Sequence, residues 1–149
     1  MNKSEQIARL RLMRTRNIGP MTYSLSMRRY GSAEAAIVAI PTLAQRGGSK
    51  ISLASITSVE DELESIDAAG AVLLWRDSKY YPERQGQFND APAHITARGN
   101  LHLLTQPMIA IVGARNTSIN AQRHAHNIAS DLGKHGYIIV SGMARGIDA

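Results

Sequence analysis

The strongest constraint on this chain is a short β-type run that ends on a glycine, occurs twice, and each time leads to an arginine. The first copy is Met108-Ile109-Ala110-Ile111-Val112-Gly113-Ala114-Arg115-Asn116. The second is Tyr137-Ile138-Ile139-Val140-Ser141-Gly142-Met143-Ala144-Arg145-Gly146-Ile147-Asp148. Between them, residues 120–134 carry Ala121, Ala125, Ile128, Ala129 and Leu132 at helical spacing. The small members of that stripe suit close packing on a sheet. Lys134 and His135 fall in the last turn, and Gly136 closes the helix. Strand, helix and strand in this order make a βαβ unit. Its right-handed crossover lays the strands parallel and brings both turns to one carboxyl edge. Open α/β sheets bind ligands at that edge.

The turn residues suit an anion. Gly113 allows close backbone approach, and Ala114 is small for the same reason. Arg115 and Arg145 offer planar donor forks that match phosphate. Asn116, Thr117 and Ser118 add donors beside a helix N-terminus, where anions are favoured. Ser141 and Gly142 repeat the tight exit from a strand, Gly146 frees the backbone again, and Asp148 either anchors Arg145 or caps a following helix. The plainer reading, that glycines after strands are ordinary turn makers, stands beside this one. Gly113 to Ser118 lacks the further glycines of a dinucleotide fingerprint and the Gly-Lys-Ser/Thr of a Walker A loop. No Ser/His/Asp set or carboxylate pair can be assembled, so no catalytic residue is assigned. His124 and His126 point apart on a helix, so no metal site is assigned. No cofactor is expected.

The first hundred residues read as a helical lead-in and two strands. Ser4 is the expected cap of a first helix with Ile7, Leu10 and Met13 inward. Gly19 permits a positive φ and Pro20 starts a second helix with Met21 and Leu25 inward. Ser32 caps a third helix, which Pro41 is expected to stop. The Ile18-Gly19-Pro20 turn is either a plain helix connection or a helix-hairpin-helix element, in which Ile18 and Gly19 form a secondary DNA contact through the backbone. Residues 49–58 read as a linker, and Thr57 to Glu60 as a capping box for a fourth helix. Ala71 to Trp75 and His94 to Gly99 read as strands.

Charge is uneven. Residues 1–50 carry 9 basic and 2 acidic side chains, residues 51–92 carry 3 and 8, and residues 93–149 carry 5 and 2. A basic head points either to nucleic acid or an anionic surface, or to a solvated helix face. At 5% aromatic residues, stacking on bases cannot be widespread. The chain has no cysteine, no secretory core and no apolar run near the roughly 20 residues that span a bilayer. The cytoplasm is therefore the expected compartment, with no membrane partner.

At these residues the chain resembles the DprA/Smf family of DNA-processing proteins. The resemblance rests on Ile111 to Asn116 and Ser141 to Asp148. It extends to Leu10 to Arg14, Ile18 to Pro20, Tyr30 to Glu34, Tyr81-Pro82 and Ala97 to Asn100. It implies an α/β chain. A small helical domain with its linker, similar to sterile-alpha-motif and helix-hairpin-helix folds, is expected over residues 1–66. The first half of an extended Rossmann-like parallel sheet domain is expected over 67–149. It also implies single-stranded DNA binding in natural transformation, RecA loading and dimerisation in the full-length family, without catalysis. The phosphate-binding residues carried over are Gly113, Ala114, Arg115, Asn116, Ser141, Gly142, Arg145 and Gly146. Because the chain stops at Ala149, where the next helix is expected, it reads as an N-terminal portion with impaired activity. Two alternatives stand. One is a nucleotide-processing enzyme of the phosphoribohydrolase type, although its Pro-Gly-Gly-x-Gly-Thr loop is absent here. The other is a remnant or split-gene fragment.

Overall fold

In the computed structural model, which describes residues 1–48 and 50–149, Asn2 opens helix α1 (Lys3–Arg14). Its side chain accepts the Glu5 N–H at 2.7 Å. Ser4, the expected cap, lies inside the helix, because an asparagine two residues earlier already meets that free N–H. Helices α2 (Pro20–Tyr30), α3 (Ala33–Arg46) and α4 (Ile56–Ala68) follow. Helix α1 touches all three. It therefore buries more than one face, and Ala8, Leu10 and Leu12 are buried where Ile7 and Met13 are only partly so.

Four further expectations are corrected in this region. The left-handed residue before α2 is Asn17 at φ 69°, while Gly19 is extended at φ −87°. Asparagine reaches that conformation at little cost, so the glycine is not needed for it. On α2 the buried side chains are Tyr23 and Ser26, and Met21 and Leu25 are exposed. Pro41 lies inside α3, which continues to Arg46. Helix α4 is capped by Ser55, whose side chain accepts the Ser58 N–H at 3.1 Å, two residues before the expected box. Ser49, the first residue of the expected linker, lies outside the described residues.

Strands β1 (Ala71–Trp75) and β2 (His94–Arg98) pair antiparallel, with Ala71 opposite Arg98 and Trp75 opposite His94. Between them lies the short helix α5 (Glu83–Gly86). Residues Met1–Gly99 form one compact unit, because Trp75 and Ala93 join the helical core around Leu10, Leu12, Tyr23 and Val59. The division expected at 66/67 follows the change from helix to sheet. The division by packing follows the burial of Trp75.

The opposite charges of the head and of residues 51–92 meet inside this unit. Arg9 bonds Glu5 at 3.0 Å and Asp77 at 2.9 Å. Arg14 holds Glu62 through two nitrogens at 2.8 and 2.5 Å. Arg11 donates to the Ala54 carbonyl at 2.8 Å. Glu5 also accepts the Ala33 and Glu34 N–H groups at the start of α3. Burial alone would raise the Glu5 carboxyl, but these N–H bonds and Arg9 outweigh it and hold it below the ordinary carboxylate value. A lowered folded-state value contributes stability above the unfolded value of about 4.3 and loses it as pH falls through the folded value. Glu5→Gln is therefore expected to cost about 1–3 kcal/mol at neutral pH, the scale of a bond to a charged group. In denaturant melts the gap to the parent should close as pH falls below the ordinary carboxylate range.

Residues Asn100–Ala149 form the second unit. A 3₁₀ turn (Leu101–Thr105) leads to β3 (Met108–Ala110), α6 (Ile119–Lys134) and β4 (Ile138–Val140). The strands pair parallel, Met108 with Ile138 and Ala110 with Val140, as a βαβ crossover requires. Ile111 N–H to Val140 and Ile138 N–H to Pro107 extend the ladder, both at 2.9 Å. Ser118 caps α6 through the Ala121 N–H at 3.2 Å. Ala121, Ala125, Ala129 and Leu132 are half-buried, whereas Ile128 is exposed. None of the described side chains of this unit is fully buried, so backbone bonds and turn packing carry much of its order. Among the described residues no helix is long and apolar enough to cross a membrane.

Candidate nucleic-acid interface

The two turns leave the carboxyl ends of β3 and β4 and are joined by direct bonds. The Gly113 N–H donates to the Asp148 carboxylate at 2.9 Å. The Ile147 N–H donates to the Ala114 carbonyl at 3.3 Å. The Ser141 hydroxyl donates to the Asp148 carbonyl at 2.8 Å, closing the second turn on itself. Arg145 donates to the Asn116 side-chain oxygen across the turns.

The glycines serve this closeness. A Cβ on Gly113 would sit 2.8 Å from the Ile147 side chain. Gly146 has φ +101°, and its Cβ would lie 2.2 Å from the Ala114 carbonyl oxygen. Both values are below any real contact, so these positions admit only glycine without a shift of backbone or side chain. At Gly113 the missing Cβ makes room for Ile147 of the second turn. Gly142 is less confined, since its Cβ would be 3.0 Å from an Asp148 carboxylate oxygen that can move.

All eight expected phosphate-binding residues thus lie in two adjoining turns, but their groups are not equally free. The Gly113 N–H, the Ala114 carbonyl and the Ser141 hydroxyl are engaged within the pair. Arg115 is exposed and makes no ion pair among the described residues. Arg145 is oriented by a neutral amide. A carboxylate partner would have cancelled its charge, whereas Asn116 fixes the guanidinium and leaves the charge uncompensated. Asp148 does not anchor Arg145. It faces the Gly113 N–H instead.

A cleft of about 650 Å³ runs between α6 and the second turn. Ser141, Arg145 and Gly146 line it, together with Arg123 and Ile147, while Gly113 to Asn116 do not. Arg123 was not singled out from the sequence. Its signal was available: an arginine one turn into the helix that follows a glycine-arginine turn.

Ile18 and Gly19 lie in the other unit. The Ile18 side chain is buried, and its N–H donates to the Thr15 carbonyl at 3.1 Å. Ile18 therefore has no free donor to offer a phosphate. Gly19 is exposed, caps α2 without a side-chain bond and has open space beside its Cα.

Residues 72–149 match the family described as DNA recombination-mediator protein A, and residues 3–65 match a DprA-like N-terminal HHH domain. The chain is 33% identical over 91 residues to Protein Smf of Escherichia coli, covering 61% of this chain and 24% of that protein. It is 36% identical over 72 residues to the DNA processing protein DprA of Bacillus subtilis, covering 48% and 24%. It is 37% identical over 68 residues to the DNA processing protein DprA of Streptococcus pneumoniae, covering 46% and 24%. The chain thus spans about a quarter of the length of these relatives.

Proposed function

The chain belongs to the DNA recombination-mediator protein A (DprA/Smf) family, and from that premise we propose that it binds single-stranded DNA through the phosphates, at the paired turns, in DNA processing for transformation. The observation that carries this reading is the Arg145–Asn116 pair, a guanidinium fixed in direction with its charge left free. Arg115 on the adjoining turn adds a second free cation. Gly113, Ala114, Ser141, Gly142 and Gly146 hold the two turns in register. Gly19 is a secondary backbone contact. The binding is electrostatic and tolerant of base sequence. It needs no catalytic group and no cofactor. Loading of RecA and a cytoplasmic setting belong to the same reading, with dimerisation a property of the full-length family.

Fluorescence anisotropy of labelled oligonucleotides, read at several salt concentrations, tests it. Arg115→Ala and Arg145→Ala are each expected to weaken binding about tenfold and to lower the salt slope by about 0.7, the share of one single-strand phosphate contact. Asn116→Asp should weaken binding by a similar factor, because it cancels the charge it orients. An unchanged slope in both arginine variants would remove the turns from the interface.

A further inference from the structure

The head unit contains a second cleft, of about 390 Å³, that the function above does not use. It lies between one face of α2 and the connection that joins β1 to β2. Tyr23, Met27 and Arg28 of α2 line it with Arg76, Asn89 and Ala93, and Arg9 and Asp77 complete its wall.

The charges of this cleft do not cancel. Both Asp77 oxygens are engaged by Arg9. Arg76 is steered by the Gly86 and Phe88 carbonyls, which are neutral acceptors. Arg28 is exposed and has no carboxylate partner among the described residues. Arg9 is shared between Asp77 and Glu5, so Arg9, Arg28 and Arg76 against those two carboxylates leave one net positive charge to a ligand. Tyr23 is buried and lines the cleft, and its hydroxyl makes no hydrogen bond among the described residues. Burial pushes that phenol up to about 12, so it is a donor at every physiological pH. Arg28 and the Tyr23 hydroxyl are thus donors with no acceptor among the described residues, and Arg76 is held by neutral carbonyls that leave its charge uncompensated, which favours an anion.

Size and lining narrow the class. The volume lies within the roughly 300–1,000 Å³ of small-ligand clefts and far exceeds a bare phosphate. Met27 and Ala93 give an apolar wall for a ring. Asn89 carries a donor and an acceptor side by side, the pair that matches the edge of adenine.

We propose that this cleft binds a phosphorylated adenine nucleotide, free or as one residue of a single strand, with the phosphate on Arg28 and Arg76 and the base between Met27, Ala93 and Asn89. The site is independent of the paired turns.

The chain's single tryptophan reports on it directly. Trp75 stacks on Tyr23 at 6.4 Å, so an occupant of the cleft alters the surroundings of the indole. Titration with 2′-deoxyadenosine 5′-monophosphate should give a saturable change in tryptophan fluorescence. Deoxyadenosine and inorganic phosphate should each bind at least about tenfold more weakly. Arg28→Ala, at an exposed position, should weaken the nucleotide by about tenfold, the scale of a charge-assisted bond. Asn89→Ala should lower affinity for the nucleotide but not for inorganic phosphate. The Arg115→Ala and Arg145→Ala chains should respond as the parent does. A 5′-phosphorylated oligodeoxyadenylate that competes at equal concentration assigns the site to a strand; lack of competition assigns it to the free nucleotide. The proposal is overturned by no saturable signal, by equal binding of nucleoside or phosphate, or by a response that Arg28→Ala leaves intact.

Discussion

Replacing Gly146 with alanine is expected to pull the two turns apart and abolish their binding of single-stranded DNA. The new methyl would meet the Ala114 carbonyl oxygen at 2.2 Å and the Arg115 oxygen at 2.7 Å. Neither is a side-chain end that can rotate away. The φ of +101° adds strain of about 1–2 kcal/mol for a residue with a Cβ, and overpacking adds about 1–3 kcal/mol. That total is large for a unit with no fully buried side chain among those described. Thermal unfolding and anisotropy on the same sample provide the check. Gly19→Ala is the built-in contrast, since a Cβ there meets nothing within 4 Å and should leave stability nearly unchanged. Equal behaviour of the two variants would mean that the turns do not pack as described.

The second large effect is expected at Trp75. Its ring is 3% exposed, lies 4.9 Å from His94 and 6.4 Å from Tyr23, and carries the Arg9 guanidinium 5.3 Å above it. Trp75→Ala should cost about 3–5 kcal/mol for the lost ring, with about 1 kcal/mol more for the cation over its face. Trp75→Phe should cost much less. The indole N–H is buried without a hydrogen-bond partner among the described residues, so phenylalanine removes volume but breaks no bond. Denaturant titrations followed by circular dichroism separate the two. A phenylalanine variant as unstable as the alanine one would show that the indole nitrogen is bonded after all.

The parts of this fold legible in the sequence are those set by local pattern. The β3-α6-β4 unit is visible because its strands are short apolar runs and its helix carries alanines four residues apart, at 121, 125 and 129. Ser32 is visible as a cap because capping is a matter of neighbouring N–H groups, and its side chain does accept the Ala35 N–H. What stayed hidden depends on partners far along the chain. Arg9 and Asp77 are 68 residues apart, and Arg14 and Glu62 are 48 apart. No window of sequence pairs them, and the basic head therefore read as a free surface. Helix α2 gave up its expected inward residues, Met21 and Leu25, because Trp75 recruits Tyr23 to the core. At the turns, the identities of Gly113 and Gly146 were plain but their task was not. A glycine that admits a ligand and a glycine that admits another turn look alike until Ile147 and Ala114 are seen against them.

The pairing of head and acidic segment also limits how this protein can change. A basic substitution at Glu62 or Asp77 would raise the net charge and strand Arg14 or Arg9 opposite a like charge. An acidic substitution at either arginine would do the same in reverse. Arg14 and Glu62 are coupled in this way across 48 residues, whereas Arg9 keeps Glu5 as a second partner if the exposed Asp77 changes. Arg28 and Arg115, which hold no acid among the described residues, are free of that constraint. The chain's affinity for polyanions can therefore be tuned at those solitary arginines with less cost to the fold than at Arg9 or Arg14.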